Sequence, residues 1–148
     1  IKSSAASDVY KRQYQTLLTH HIPFDYRHVH PSSQTEEEGA RIMNDILKEE
    51  DPPTAIFCAN DCTALGVLRS LNKCRRKNYL PSVIAIDNIR KSAKTSPMLT
   101  TIDIPKQELA HFALLLLLDQ QKKAHKECVR IELPCRLIER ESCTYAPC

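Results

Sequence analysis

Two short polar pairs stand where chemistry could be done: Asn60-Asp61 and Asp87-Asn88. Each closes a nearly continuous apolar run, Thr54-Ala55-Ile56-Phe57-Cys58 in the first case and Val83-Ile84-Ala85-Ile86 in the second. Runs of this kind read as buried parallel strands. Carboxylates and amides at the carboxyl ends of such strands suit a pocket that hydrogen-bonds a polar small molecule, because ligands of parallel sheets sit beyond those ends. The bland alternative is local capping. Asp61 reads as the N-cap of the helix that follows, and Asp87 can cap a turn. Paired carboxylates could also serve acid–base catalysis. No nucleophile, metal set or phosphate loop accompanies Asp61 and Asp87, so the sequence argues against an enzyme.

The other chemistry-bearing residues exclude more than they offer. The seven cysteines form no CxxC; the one close pair, Cys58 and Cys62, is CxxxC without a histidine nearby. Zinc sites want tighter, repeated spacing, so no metal is expected. An odd number of scattered cysteines reads as reduced thiols and a cytoplasmic location. His20-His21 and His28-x-His30 read as a solvated loop. The only glycines are Gly39 and Gly66, where average usage of about 7% gives roughly ten. Two distant glycines exclude a P-loop and a GxGxxG dinucleotide loop, and no cofactor is expected. Lys plus Arg number 21 against 18 Asp plus Glu, a net charge of +3, too balanced to argue a nucleic-acid surface by itself. The longest apolar run, 112–118, falls far short of the ~20 residues that span a bilayer, so no membrane partner is expected.

The elements that must position these residues follow from periodicity. Residues 14–21 read as a helix end. Thr35-Glu36-Glu37-Glu38 is a capping box, and Ala40, Ile42, Met43, Ile46 and Leu47 recur at helical spacing until Asp51-Pro52-Pro53 stops the helix. Leu65, Leu68 and Leu71 share one face of the next helix, and the basic stretch 73–77 reads as its solvated end. Pro105 opens another helix over 106–121. Val129, Ile131 and Leu133 alternate as a strand; Pro134 interrupts, and Arg136-Leu137-Ile138 forms a last short strand. Strands alternating with helices imply βαβ units and a parallel sheet, hence an α/β fold. The opening IKSSAASDVYKRQ, residues 1–13, has no apolar periodicity and resembles translated adapter read-through. It is set aside as a non-native leader, and residues 14–148 are read as part of one domain, a fragment of a longer protein.

Four blocks carry a resemblance: PTAIFCANDCTALGVLRSLN (53–72), VIAIDN (83–88), SPMLTTIDIPKQELA (96–110) and RLIERES (136–142). In order and spacing they resemble the carboxyl-terminal half of the effector-binding domain of the lac-repressor-like (LacI/GalR) transcription regulators. The resemblance implies a type I periplasmic-binding-protein-like fold, present as a partial domain: one lobe plus fragments of the other, with crossovers at 101–103 and about 134. The helix 105–121 and strand 128–133 then belong to the second lobe, and this chain alone is not expected to be a well-behaved monomer. The resemblance also implies a small-molecule effector, sugar or nucleobase-like, bound in the interlobe cleft; a homodimer; and operator DNA bound only through a missing amino-terminal helix-turn-helix. By motif match, Asn60 reaches the effector and Asp87 accepts its hydrogen bonds, with Asn88 beside it. Gln34 stands where members often place a stacking aromatic. Ala85-Ile86 replaces the usual Gly-aromatic pair, Ala110 a usual glycine, and the effector-binding Arg upstream of Tyr14 is absent. Dimerisation is expected through the helix after Asp61 and the loop 89–97, with Val67, Arg69 and Ser70 facing the partner. The alternative is a periplasmic solute (sugar)-binding protein of a transporter, against which the unpaired cysteines and the RLIERES ending both argue.

Overall fold

The structure is a computed structural model describing residues 4–74, 79–122 and 127–144, with side chains described from residue 11 onward. Most of the basic stretch 73–77, the first three leader residues and Cys148 lie outside the described residues. Helix α1 (Ser4–Thr19) runs unbroken through the boundary set at residue 13 and ends where the sequence predicts. Helix α2 (Glu36–Ile46) starts at the capping box: Thr35 Oγ1 accepts from the Glu38 N–H at 3.3 Å. Glu38 does not complete the box. Its carboxylate is engaged by the Arg41 guanidinium at 2.8 Å instead. The helix also ends before the prolines. After Ile46 the chain tightens into i→i−3 bonds, Lys48 N–H to Asp45 and Glu49 N–H to Ile46, the usual last-turn geometry.

Strand β1 (Ala55–Phe57), helix α3 (Asp61–Lys73), strand β2 (Ser82–Ile86), strand β3 (Thr100–Asp103), helix α4 (Lys106–Gln121) and strand β4 (Arg136–Ile138) follow. The sheet order is β1-β2-β3-β4. The first three strands are parallel, with Ile56 beside Val83 and Ala85 beside Thr101. Strand β4 pairs antiparallel to β3, Ile102 opposite Leu137. The sheet is therefore mixed rather than wholly parallel. A three-residue alternation carries no direction; direction is set by how the chain returns, which a lone strand does not encode.

The core lies between the sheet and the α2–α3 pair. Met43, Ala64, Val83, Ala85 and Leu99 are fully buried, with Ile42, Ile46, Val67 and Leu68 around them. The two glycines make this packing possible. A Cβ on Gly39 would lie 2.1 Å from the Thr63 carbonyl oxygen, and one on Gly66 would lie 1.9 Å from the Glu36 carbonyl oxygen. The helices cross backbone against backbone, and both glycines of the chain are spent on the crossing.

The last part of the chain behaves differently. No residue of α4 is buried, and the expected strand 128–133 has no ladder partner among the described residues, leaving Val129 and Ile131 exposed. Alternation supplies a face, but a strand needs a neighbour for its N–H and C=O groups. Residues 140–144 are tied down. Ser142 donates from Oγ to the Val83 carbonyl at 2.6 Å, and its oxygen accepts from Thr100 N–H at 2.8 Å.

Candidate functional site

Because β1 and β2 are parallel neighbours, their carboxyl ends open at one edge of the sheet, and Asn60 and Asp87 follow them there. Gln34 joins them from the segment before α2: the Asn60 Nδ2 donates to the Gln34 carbonyl oxygen at 3.0 Å. The backbone at this edge is strained. Gln34 (φ 63°), Asp87 (φ 128°) and Asn88 (φ 51°) are three of the four described non-glycine residues in the left-handed region. Such conformations cost about 1–3 kcal/mol each and persist where the surroundings over-determine them, commonly at binding sites.

Asn60, not Asp61, is the N-cap of α3. Its Oδ1 accepts from the Thr63 N–H at 2.9 Å, and its backbone is extended. Asp61 is the first helical residue and is fully buried. Its carboxylate accepts three hydrogen bonds: from Ile89 N–H at 2.9 Å, Ser92 Oγ at 2.6 Å and Thr101 Oγ1 at 2.5 Å. The expectation that Asp61 caps the helix is corrected on that geometry. Two adjacent Asx residues can each cap; here the second is drawn into the sheet by three donors and the first takes the cap.

Asp87 is half-buried, and burial holds its carboxyl above the usual carboxylate range; the Asp61 charge adds to this, while Lys106 and a bond to the Asp61 backbone act the other way. Lys106, from the first turn of α4, donates its ammonium to the Asp87 carbonyl oxygen. Asn88 is held on both sides of its amide, by Arg140 and Asp103. The edge thus offers a carboxylate acceptor at Asp87, the remaining N–H of the Asn60 amide, and the free Gln34 side chain near by. These can pair with hydroxyls or with the N–H edge of a base. Among the described residues no three of His, Cys, Asp and Glu converge as metal ligands.

The expected partner-facing set is corrected in part. Val67 and Ser70 are buried inside the chain, Ser70 donating to the Ala40 carbonyl oxygen at 3.1 Å, while Arg69 is exposed. Helix α3 is covered on two sides, by the sheet and by α2, so the face opposite the leucines is not free. Arg69 instead borders a groove of about 310 Å³ floored by Leu65 and Leu68 and closed by Lys91, Thr95 and Ser96. At its rim Glu36 pairs with Lys91 at 2.6 Å and with Arg69 at 3.2 Å. None of the four candidate ligand residues lines this groove. The sequence analysis missed Arg140, Thr101 and Lys106 as parts of the site edge. The first lies in the RLIERES block, two residues past the Leu137-Ile138 pair.

The sequence profile of the periplasmic binding protein-like domain matches residues 2–143. The HTH-type transcriptional repressor PurR of Photorhabdus laumondii is 38% identical over 112 residues, 75% of this chain and 33% of that repressor. A LacI-type regulator from Bacillus cereus subsp. cytotoxis superposes with a TM-score of 0.81 at 26% identity, covering 88% of this chain and 47% of that one. A LacI family regulator from Enterococcus faecium with bound ribose superposes at 0.72 and 30% identity, covering 87% and 48%. The chain spans about a third of the curated relatives it matches and about half of the solved ones. Its four sequence blocks, its α/β unit and these matches agree: the chain belongs to the periplasmic binding protein-like domain family, in the form that LacI-type transcription regulators carry.

Proposed function

We propose that this chain is the carboxyl-terminal part of the effector-binding region of a DNA-binding transcription regulator, a cytoplasmic protein and not an enzyme. A small ligand, sugar or nucleobase-like, pairs with Asp87 and Asn60 in a cleft whose other wall comes from a second lobe. Residues 101–103 and about 134 are the crossovers to that lobe, to which α4 and 128–133 belong. The observation that carries this reading is Asp87: a half-buried carboxylate on strained backbone at a strand's carboxyl end, with an ammonium beside it. Operator affinity then responds by linkage, the ligand favouring one lobe arrangement and so shifting the equilibrium that governs DNA binding. DNA is bound through a helix-turn-helix outside this chain.

The test is Asp87→Ala in the full-length protein, with ribose and purine bases as probes in calorimetry. Removing the acceptor leaves ligand donors unpaired and costs about 1–3 kcal/mol of affinity. Unchanged binding would remove Asp87 from the site. The homodimer forms through α3 and the loop 89–97, with the Leu65–Leu68 groove and Arg69 at the contact; an isologous contact needs one self-complementary patch, and an apolar floor rimmed by both charge signs provides it. Sedimentation of the full-length Arg69→Glu variant should show more monomer than the wild type.

A further inference from the structure

The Asn88 amide is engaged at both ends inside the protein. Its Oδ1 accepts from Arg140 Nη2 at 2.7 Å, its Nδ2 donates to Asp103 Oδ1 at 3.0 Å, and its own N–H donates to Thr101 Oγ1 at 3.3 Å. Arg140 is itself anchored, donating from Nη1 to the Leu99 carbonyl oxygen at 2.7 Å and from its backbone N–H to Thr100 Oγ1 at 2.9 Å. Every one of these partners lies at β3 or just past β4; none lies on β2, the strand that leads into Asn88. The turn they grip is the strained one, with left-handed backbone at both Asp87 and Asn88. A left-handed non-glycine pair relaxes unless its surroundings hold it. A two-sided grip on the amide, one bond charge-assisted by a guanidinium, is such a hold.

We propose that Asn88 is a positioning residue of the candidate site: clamped between Arg140 and Asp103, it holds the Asp87–Asn88 turn in its left-handed path and so aims the Asp87 carboxylate, without touching the ligand itself. This rests on the reading of Asp87 as the ligand's acceptor. It differs from the sequence expectation, in which Asn88 is a ligand contact. The clamp also ties the site turn to Asp103, the last residue of β3, so the aim of Asp87 depends on the path of the chain where it leaves the sheet.

An exchange of donor and acceptor separates positioning from contact. In the full-length protein, Asn88→Asp keeps an acceptor for Arg140 but sets a carboxylate against Asp103. Adding Asp103→Asn returns a donor to the pair, so the 88–103 bond re-forms with its roles swapped while Arg140 keeps its acceptor. Asp103→Asn alone keeps an acceptor for Asn88 and is the mild control. Two readouts are taken: amide hydrogen exchange at Asn88 and Ile89, and calorimetric binding of ribose, adenine and guanine. Asn88→Asp should speed exchange at both amides and weaken binding of whichever probe binds about tenfold, and the double variant should recover both to within about twofold, the size expected when a charge-assisted bond is lost and re-made. Exchange that Asn88→Asp leaves unchanged overturns the clamp. Recovered exchange without recovered binding overturns it too, since it makes Asn88 a direct contact. If the wild type binds none of the probes, the ligand reading fails for those classes, and the exchange pattern still decides the clamp.

Discussion

Helices α3 and α4 are both rich in leucine and both flank the same sheet in sequence, yet eight of the thirteen residues of α3 are buried and none of the sixteen of α4. Apolar content does not account for the difference. In α3, Ala64 and Leu68 pack into the core, while Thr63, Gly66 and Ser70, at i, i+3 and i+7, meet α2, so the helix fits the sheet on one side and α2 on the other. In α4 the five leucines 114–118 step around the whole circumference at about 100° each. No stripe results, and Leu114 and Leu117 stand 56% and 63% exposed. The lesson is that burial on two sides needs shaped faces and a closely placed partner. A uniformly apolar helix can be buried only by a neighbour that surrounds it.

Shape can be removed most directly at the helix crossing. Gly66→Ala places a methyl group 1.9 Å from the Glu36 carbonyl oxygen, against backbone that cannot rotate away. The two helices must separate, and a loss of about 3 kcal/mol, at the high end for overpacking, is expected. On α4, Ala113→Leu should change stability by less than about 0.5 kcal/mol, as exposed positions do. Urea unfolding of both variants of this chain, expressed alone, checks both. Equal losses would mean that α4 is as tightly packed as α3.

The second break is polar. Asp61→Ala strands three donors, those of Ile89, Ser92 and Thr101, in a site with no water access. A cost of about 3 kcal/mol follows, at the upper end for unsatisfied buried groups. Glu108 is an exposed acid in the first turn of α4, where a negative charge favours the helix N-terminus, and Glu108→Ala should cost about 0.5 kcal/mol. A comparable loss at both positions would show that the buried carboxylate is no more than a helix-end charge.

How much of this was legible beforehand can be judged residue by residue. The strands β1 and β2 and the edge residues Asn60 and Asp87 follow from apolar runs that stop at polar pairs, and the Thr35 cap from the capping-box spacing. The exchange of roles between Asn60 and Asp61 does not, because both side chains can cap and only the donors on β3 and the 89–92 loop choose between them. The misplacement of Val67 and Ser70 has a similar origin: helical spacing identifies one apolar face, and nothing local says that a second helix covers the next. Arg140 lies 52 positions from Asn88, and a contact at that separation is a product of the sheet order, not of spacing. What the sequence carried best was the resemblance, because four ordered blocks encode long-range arrangement that periodicity cannot.

The comparison sharpens further in solution. With its leucines uncovered, the chain expressed alone should associate through α4, while residues 35–100 keep their α/β core; exposed apolar patches of this kind drive association. The Leu114→Lys, Leu117→Lys double variant should shift sedimentation toward monomer and leave the free energy of unfolding within about 0.5 kcal/mol. A chain that is already a monomer with a sharp melt would show that α4 needs no cover.

The smallest effect lies at Asp87. Its carboxyl sits above the ordinary carboxylate range because burial and the Asp61 charge disfavour the ionised form. The folded state therefore holds this proton more tightly than the unfolded chain does. Stability contributed by the group is present in full below the unfolded carboxylate range and is lost as pH rises through it to the raised value. Asp87→Asn carries no such charge. At pH 7 the variant should melt slightly above the wild type, and the advantage should vanish as pH falls below the ordinary carboxylate range. Lys106 works against the shift and limits its size. Lys106→Met should enlarge it, widening the gap between Asp87→Asn and its parent at pH 7. Thermal melts of the four proteins between pH 3 and 7 read this directly, and a gap that grows toward low pH would place Asp87 in a stabilising ion pair instead.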